Sequence, residues 1–274
     1  MSIWLVTGAS RGLGHHIALA AASAGHTVLA GVRDTDRPYP ALLEAGVRVV
    51  RLDVSSPGDV AAVAGLAERE FGRLDVLVNN AGYGLFGALE LTGDDEIRSL
   101  LEVNVLGLIR ATRAVLPMMR RQRSGRIVNI GSVGGFTAVP GSGAYSVSKF
   151  AVEAVTEALN VELDGLGVRA TVVEPGQFRT DFLDPSSARM TERPLIEDYQ
   201  ATVGTRLRAL RAADGRQPGD PAKAAAAVVT IADAADPPVR VQLGRDALDR
   251  VEQKLLAVGA EMSRWRSLSE STGF

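Results

Sequence analysis

Cysteine is absent from the 274-residue chain, which excludes disulfides, thiolate metal sites and cysteine nucleophiles at once. Histidine is scarce: His15, His16 and His26 all fall within the first thirty residues. That distribution does not suit a histidine-rich zinc site, so no metal is expected. Charge of one sign is missing as well. Thirty Lys and Arg stand against 32 Asp and Glu, a formal net charge of −2, which provides no field for nucleic acid or an anionic membrane. No apolar run approaches the roughly 18–20 residues of a membrane span. Ile3-Trp4-Leu5-Val6 leads straight into a turn without a basic leader or cleavage site. A cytoplasmic protein is expected, with neither nucleic acid nor membrane as partner. No internal repeat, linker or charge block divides the chain, so residues 1–274 are expected to form one domain.

What the chain does contain is a repeated alternation of short apolar runs and helical periodicity. Ile3–Val6 reads as a strand, Thr7-Gly8-Ala9-Ser10-Arg11-Gly12-Leu13-Gly14 as a turn, and Ile17, Leu19, Ala20 and Ala24 as one helix, before a second strand over Thr27–Val32. Glycines in that position permit a tight turn and let the backbone approach a pyrophosphate at the positive end of the helix. Further strands are expected at Val47–Leu52, Asp75–Val78, Arg126–Ile130, Val168–Val173 and Val239–Leu243. Helices are expected near Pro57–Phe71, Asp94–Arg121, Gly141–Leu163, Ile196–Arg211, Pro221–Ala232 and through Leu248, Val251, Leu255, Leu256 and Val258. The alternation implies an α/β fold: a doubly wound, mostly parallel sheet of Rossmann type, about seven strands with helices on both faces. The looser polar stretch at 177–218 is expected to act as a substrate-binding lid.

Tyr145-Ser146-Val147-Ser148-Lys149 is the stretch most suggestive of chemistry. Tyr145 and Lys149 lie four residues apart and so share a helical face. A free phenol titrates near ~10, and a neighbouring ammonium is expected to lower that value. Tyrosine and lysine at this spacing are common by chance, so the pair gains meaning only from what accompanies it.

The accompaniment is an ordered set: TGASRGLG at Thr7–Gly14, Asp53, NNAG at Asn79–Gly82, Asn104, Ser132, YSVSK at Tyr145–Lys149 and PGQFRT at Pro175–Thr180. With these motifs the chain resembles the short-chain dehydrogenase/reductases over nearly its whole length. Val32-Arg33-Asp34, the loop Val133–Pro140 and the long C-terminal part are most similar to the hydroxysteroid- and retinol-dehydrogenase-like branch. The resemblance implies hydride transfer between a nicotinamide and a ketone or aldehyde, or its reverse. Ser132 would polarise the carbonyl and Tyr145 would donate the proton. Lys149 would support the phenolate and bond the nicotinamide ribose, and Asn104 would hold a water connecting Lys149 to solvent.

By the same resemblance the cofactor would be held by Gly8, Ser10, Arg11, Gly12, Leu13 and Gly14, with Asp53 at the adenine amine and Val54, Asn80, Ala81 and Gly82 along the adenosine. Tyr145, Lys149, Pro175, Gly176 and Thr180 would meet the nicotinamide end. An acid about 20 residues past the glycines would be Asp34, but the deciding acid of NAD users in the family sits at the position of Val32. Arg33 follows it and Arg11 lies in the glycine turn, a pair of guanidinium groups suited to a 2′-phosphate. NADP(H) is therefore the expected cofactor. Ser132, Val133, Phe136, Val139, Tyr145, Phe178 and Phe182 are expected around the substrate, with Tyr83, Phe86, Leu183 and Tyr199 as further candidates. This mostly apolar wall implies a small hydrophobic carbonyl or alcohol. A ketoacyl reductase of lipid or polyketide assembly and a non-catalytic NADP(H)-binding regulator are the alternatives. A homodimer or homotetramer is implied, paired through the helices holding Asn104 and Tyr145, where Ala151, Ala154, Val155 and Ala158 would allow close approach.

Overall fold

Every residue of Ile3–Thr7 (β1) is buried, as a strand covered on both faces must be. The computed structural model describes residues 1–274. After β1 the chain forms α1 (Gly12–Ser23), β2 (Thr27–Val32), α2 (Pro40–Glu44), β3 (Arg48–Arg51), α3 (Pro57–Phe71) and β4 (Val76–Asn79). A short β5 (Gly84–Phe86) precedes α4 (Asp94–Leu101), α5 (Leu108–Gln122), β6 (Gly125–Ile130), α6 (Gly143–Glu162) and β7 (Val168–Pro175). The C-terminal third adds β8 (Ala188–Met190), α7 (Thr205–Ala212), α8 (Pro221–Asp233), β9 (Arg240–Leu243) and α9 (Arg245–Glu270).

Seven strands form one sheet in the order β3-β2-β1-β4-β6-β7-β9, and every neighbouring pair is parallel. The chain runs outward from β1 to β3 and then returns to β4 on the other side of β1. At that reversal the crossover helices diverge, leaving a crevice beyond the carboxyl ends of the strands. Strand alternation divides the core. Trp4 and Val6 face α1 and α8, packing with Ile17, Ala21 and Val228. Ile3 and Leu5 face the opposite layer, where Val63, Val115, Met119 and Leu159 of α3, α5 and α6 cover the sheet. No helix is long and apolar enough to cross a membrane.

The doubly wound sheet has the expected seven strands, while several elements differ from expectation. The helix expected over Asp94–Arg121 is interrupted by a π-helical turn, Glu102–Gly107, that contains Asn104. A π turn inserts one extra residue into the ladder and re-aims the side chains around it. β5 and β8 pair as a separate two-stranded parallel ribbon; runs of three residues are too short to show a period. The helix expected from Ile196 begins instead with a π turn at Gln200–Gly204, followed by α7. In α9 only Ala247 and Val251 are buried, whereas Leu255 and Leu256 of the expected apolar face are exposed. No other part of this chain covers them.

Candidate active site

The first loop leaves β1 through Gly8 at φ +65° and enters α1 through Gly12 at φ +58°, a region side chains disfavour. An added Cβ at Gly8 would stand 2.8 Å from the Ala81 Cα, so glycine is required there for space as well as conformation. The turn is clamped from the β4 end. Asn80 donates its amide to the Thr7 and Gly8 carbonyls, both at 3.0 Å. The Thr7 hydroxyl accepts the Asn80 and Ala81 N–H groups, also at 3.0 Å. Asn80, expected to flank an adenosine, thus spends its side chain on shaping the glycine turn. Gly14 does not line the crevice: a Cβ there would overlap the Asn80 amide and the Gly8 carbonyl, so its role is close packing of α1. The N-cap of α1, Arg11, is extended and supplies no side-chain cap, leaving the first-turn N–H groups available to an anion.

A single crevice of about 420 Å³ runs from this turn across the strand ends to Tyr145. Of the site residues expected from the sequence, Gly14, Asn104, Phe136 and Tyr199 lie outside it and the others line it. Arg33 borders one end beside Asp53, whereas Arg11, which also lines the crevice, donates to the Ser186 hydroxyl and to the Ser186 carbonyl at 2.9 Å. Asp34, by contrast, accepts the Asp36 N–H at 3.0 Å within its own loop. Burial works to raise the Asp53 carboxyl, but hydrogen bonds from Ser55, with Arg33 and Arg51 nearby, outweigh it and hold it below the usual range. The glycine-walled entry, the uncapped helix end and the two guanidinium groups together fit a nicotinamide dinucleotide.

At the other end Ser132 (end of the β6 loop), Tyr145 and Lys149 come together. Tyr145 and Lys149 are 8% and 7% exposed. The expected lowering of the phenol does not occur: burial pushes Tyr145 up to about 12, against a smaller downward pull from Ser132. The physical reason is distance and occupation. The Lys149 Nζ lies 5.9 Å from the Tyr145 ring centroid and donates to the Ile130 carbonyl at 2.8 Å. Burial also depresses Lys149 to about 8, with Glu153 opposing. Asn104 donates to the Tyr83 carbonyl (2.9 Å) and the Ser148 hydroxyl (3.1 Å) and accepts the Tyr83 N–H (3.0 Å). Ser148 in turn donates to the Tyr145 carbonyl at 2.7 Å, so Asn104 braces the helix turn that carries Tyr145 and Lys149.

Phe86 and Phe182 pack against the Tyr145 ring, with centroids at 5.5 and 5.8 Å. Two expected substrate contacts fall elsewhere. Phe136 packs with Val133, Ala247 and Val251 against α9 and lies under the Arg240 guanidinium, because the loop after Ser132 turns its ring toward the C-terminal helix. Tyr199 donates its hydroxyl to Glu90 at 2.5 Å on the exposed surface. Sequence reasoning missed Gln217, Arg206, Leu210 and Arg250, which also line the crevice. It also missed a buried group behind the site, in which Glu153 and Glu174 share Arg240, each at 3.7 Å. Burial, and Glu174 beside it, push Glu153 up to about 8. No local pattern announces either set.

Comparison with known proteins bears on this geometry directly. A profile of the family described as short chain dehydrogenase matches residues 2–191. The chain belongs to the short-chain dehydrogenase family. Oxidoreductase BOA17 of Botryotinia fuckeliana is 36% identical to this short-chain dehydrogenase over 270 residues, covering 97% of each chain. Human 17-beta-hydroxysteroid dehydrogenase type 1 is 39% identical over 195 residues, 67% of this chain and 58% of that one, consistent with the hydroxysteroid-like branch. Among solved structures, a short-chain dehydrogenase from Streptomyces avermitilis superposes with a TM-score of 0.90 at 41% identity, covering 100% of this chain and 99% of that one. Relatives with bound nucleotide differ in its form. An alcohol dehydrogenase from Thermococcus sibiricus (TM-score 0.70, 27% identity, 89% and 96% coverage) is complexed with 5-hydroxy-NADP. A member from Burkholderia phymatum (TM-score 0.80, 26% identity, 95% of each chain) is complexed with NAD. This short-chain dehydrogenase is thus an oxidoreductase of a fold that binds nicotinamide dinucleotides.

Proposed function

We propose that the protein is an NADP(H)-dependent oxidoreductase that interconverts a hydrophobic ketone or aldehyde and the corresponding alcohol, with Tyr145 as the general acid and base. The convergence of Ser132, Tyr145 and Lys149 at the far end of the crevice that begins at the glycine turn carries this reading. When bound, the nicotinamide supplies or takes up the hydride. Ser132 orients and polarises the carbonyl oxygen, and Tyr145 holds the proton that this oxygen receives. Burial keeps the phenol protonated, so the proton is in place for the reductive direction, and its release depends on stabilising the phenolate. Lys149, anchored to the Ile130 carbonyl, is the nearby cation that stabilises the phenolate left behind.

Arg33 beside Asp53 and Arg11 in the glycine turn support a preference for the 2′-phosphate form, and the absence of an acid at Val32 agrees with it. Phe86, Phe182, Val139 and Leu210 support an apolar substrate. We read 177–218 as a lid on a single domain, since Phe182 from this stretch lies on the Tyr145 ring. A homo-oligomer is supported by the outer face of α6, where Val147, Phe150 and Val161 are 53%, 46% and 80% exposed and Ala154 and Ala158 lie between them. Following NADPH absorbance across a panel of ketones, aldehydes and secondary alcohols tests the reading. Turnover of apolar carbonyls is expected; a tenfold or better catalytic preference for NADH (roughly 1.4 kcal/mol) refutes the cofactor assignment.

A further inference from the structure

The substrate end of the crevice contains polar groups that nothing in the chain satisfies. Gln217 is 2% exposed and lines the cavity, yet neither its amide nitrogen nor its amide oxygen has a hydrogen-bond partner. Buried amides are normally paired, and an orphaned one lining a cavity marks a place where a ligand completes the bonding. Two guanidinium groups line the same cavity. Arg250, one turn beyond Asp246 on α9, reaches only the carbonyl and hydroxyl of Thr137, at 2.9 and 2.5 Å. Arg206 on α7 is half-buried, and no carboxylate lies within ion-pair distance of it or of Arg250. Arg206 lies near enough to act on Arg250: burial and then Arg206 lower Arg250, against the opposing effect of Asp246. The Asp246 carboxylate is itself engaged by the Gln177 N–H at 2.9 Å. The carboxylates that do line the crevice are Asp53, at the nucleotide end, and Asp181, which is exposed.

We propose that Gln217, Arg206 and Arg250 form an anion-recognising end of the substrate pocket, so that the carbonyl substrate carries a carboxylate at the far end of an apolar body. The inference rests on the reading of Tyr145 as the site of carbonyl reduction. Phe86, Phe182 and Leu210 supply the apolar stretch, and the three polar residues supply donors suited to a carboxylate's oxygens. All three lie beyond residue 191, where the match to the family profile ends. They therefore belong to the part of the chain in which one member can differ from another in substrate.

Methyl-ketone acids of short, medium and long chain, each with its methyl ester, provide the test. At the best-fitting length the acid is expected to exceed its ester in kcat/KM by about tenfold or more. Arg206→Met and Gln217→Leu should each lower that ratio at least about threefold, mainly through KM of the acid, while Arg206→Lys should retain part of it. Calorimetric titration of acid and ester into the NADPH-saturated protein reads binding apart from turnover. Esters turned over or bound as well as their acids at every length overturn the anion-recognising end and leave the Tyr145 reading intact. Acids bound in preference to their esters but never reduced support that end and overturn the Tyr145 reading.

Discussion

The nucleotide end and the substrate end of the crevice are built on opposite principles. Around the glycine turn the side chains that shape it are already engaged: Thr7 and Asn80 tie the turn to the end of β4. At the substrate end the Gln217 side chain has no partner, and Arg250 feels the charge of Arg206 with no carboxylate in ion-pair contact. A rigid, self-satisfied cradle suits a ligand common to a whole family. Unsatisfied groups in a lid suit a ligand peculiar to one member, because only the right substrate offsets the cost of burying them.

If the contrast is sound, the largest effect should come from the point where the two ends meet. Tyr145→Phe removes the proton and little else, so carbonyl reduction should fall by about 10³-fold while the dissociation constant for NADPH, followed by fluorescence titration, changes by less than about twofold. Retained activity would remove Tyr145 from its assigned role.

Next come paired glycine substitutions that compare the ends directly. Gly8 and Gly215 both have positive φ, +65° and +70°, but a Cβ at Gly8 strikes the Ala81 backbone whereas one at Gly215 meets nothing within 4 Å. Gly215→Ala should cost about 1 kcal/mol in urea unfolding, the conformational term alone. Gly8→Ala should cost about 2–4 kcal/mol, since a packed clamp must also move. Equal losses would mean that the cradle is no more rigid than the lid.

A smaller change is expected at the nucleotide rim. Arg33→Ala should reduce the NADPH-over-NADH ratio of kcat/KM by about tenfold, as one charge-assisted contact to a phosphate is lost. An unchanged ratio would assign the preference to Arg11 alone or remove it.

The gentlest test concerns the buried acids behind the site. Glu153 titrates near 8 when folded, above its ordinary 4.5. Between those values the folded state holds more protons than the unfolded one, so stability falls as pH rises from about 4.5 to 8. Lys149 titrates near 8 when folded, below its ordinary 10.5, so it contributes a rise in stability from about 8 upward. Glu153→Gln should flatten the falling limb, raising Tm at pH 8 relative to the wild type by roughly 2–4 °C for each kcal/mol relieved. Parallel wild-type and variant profiles would show that Glu153 is not raised by burial and by Glu174.

The nucleotide end was almost wholly legible in the chain because its residues sit at strand ends, where the next few residues report the geometry. Gly8, Asn80 and Pro175 each close a run of β-type residues. Even there, the use of Asn80 as a clamp and of Gly14 as a spacer could not be read, since both depend on how closely α1 approaches β4. The sign of the Tyr145 shift was misjudged for a related reason. Spacing shows that a lysine shares the helical face, but burial of the phenol and the engagement of Lys149 by the Ile130 carbonyl depend on the neighbouring β6.

By itself, then, the order of residues determined the winding of the sheet, the crevice at its reversal and the Ser132–Tyr145–Lys149 set, because each follows from periodicity and from short motifs at strand ends. Only the tertiary structure decided which of the later residues complete the site. Gln217, Arg206 and Arg250 come from a loop and two separate helices with no spacing in common, and Glu153, Glu174 and Arg240 meet only where α6, β7 and β9 pack together. Proximity across such distances in sequence is created by packing, and the burial that shifts a phenol or strands an amide exists only once that packing is complete.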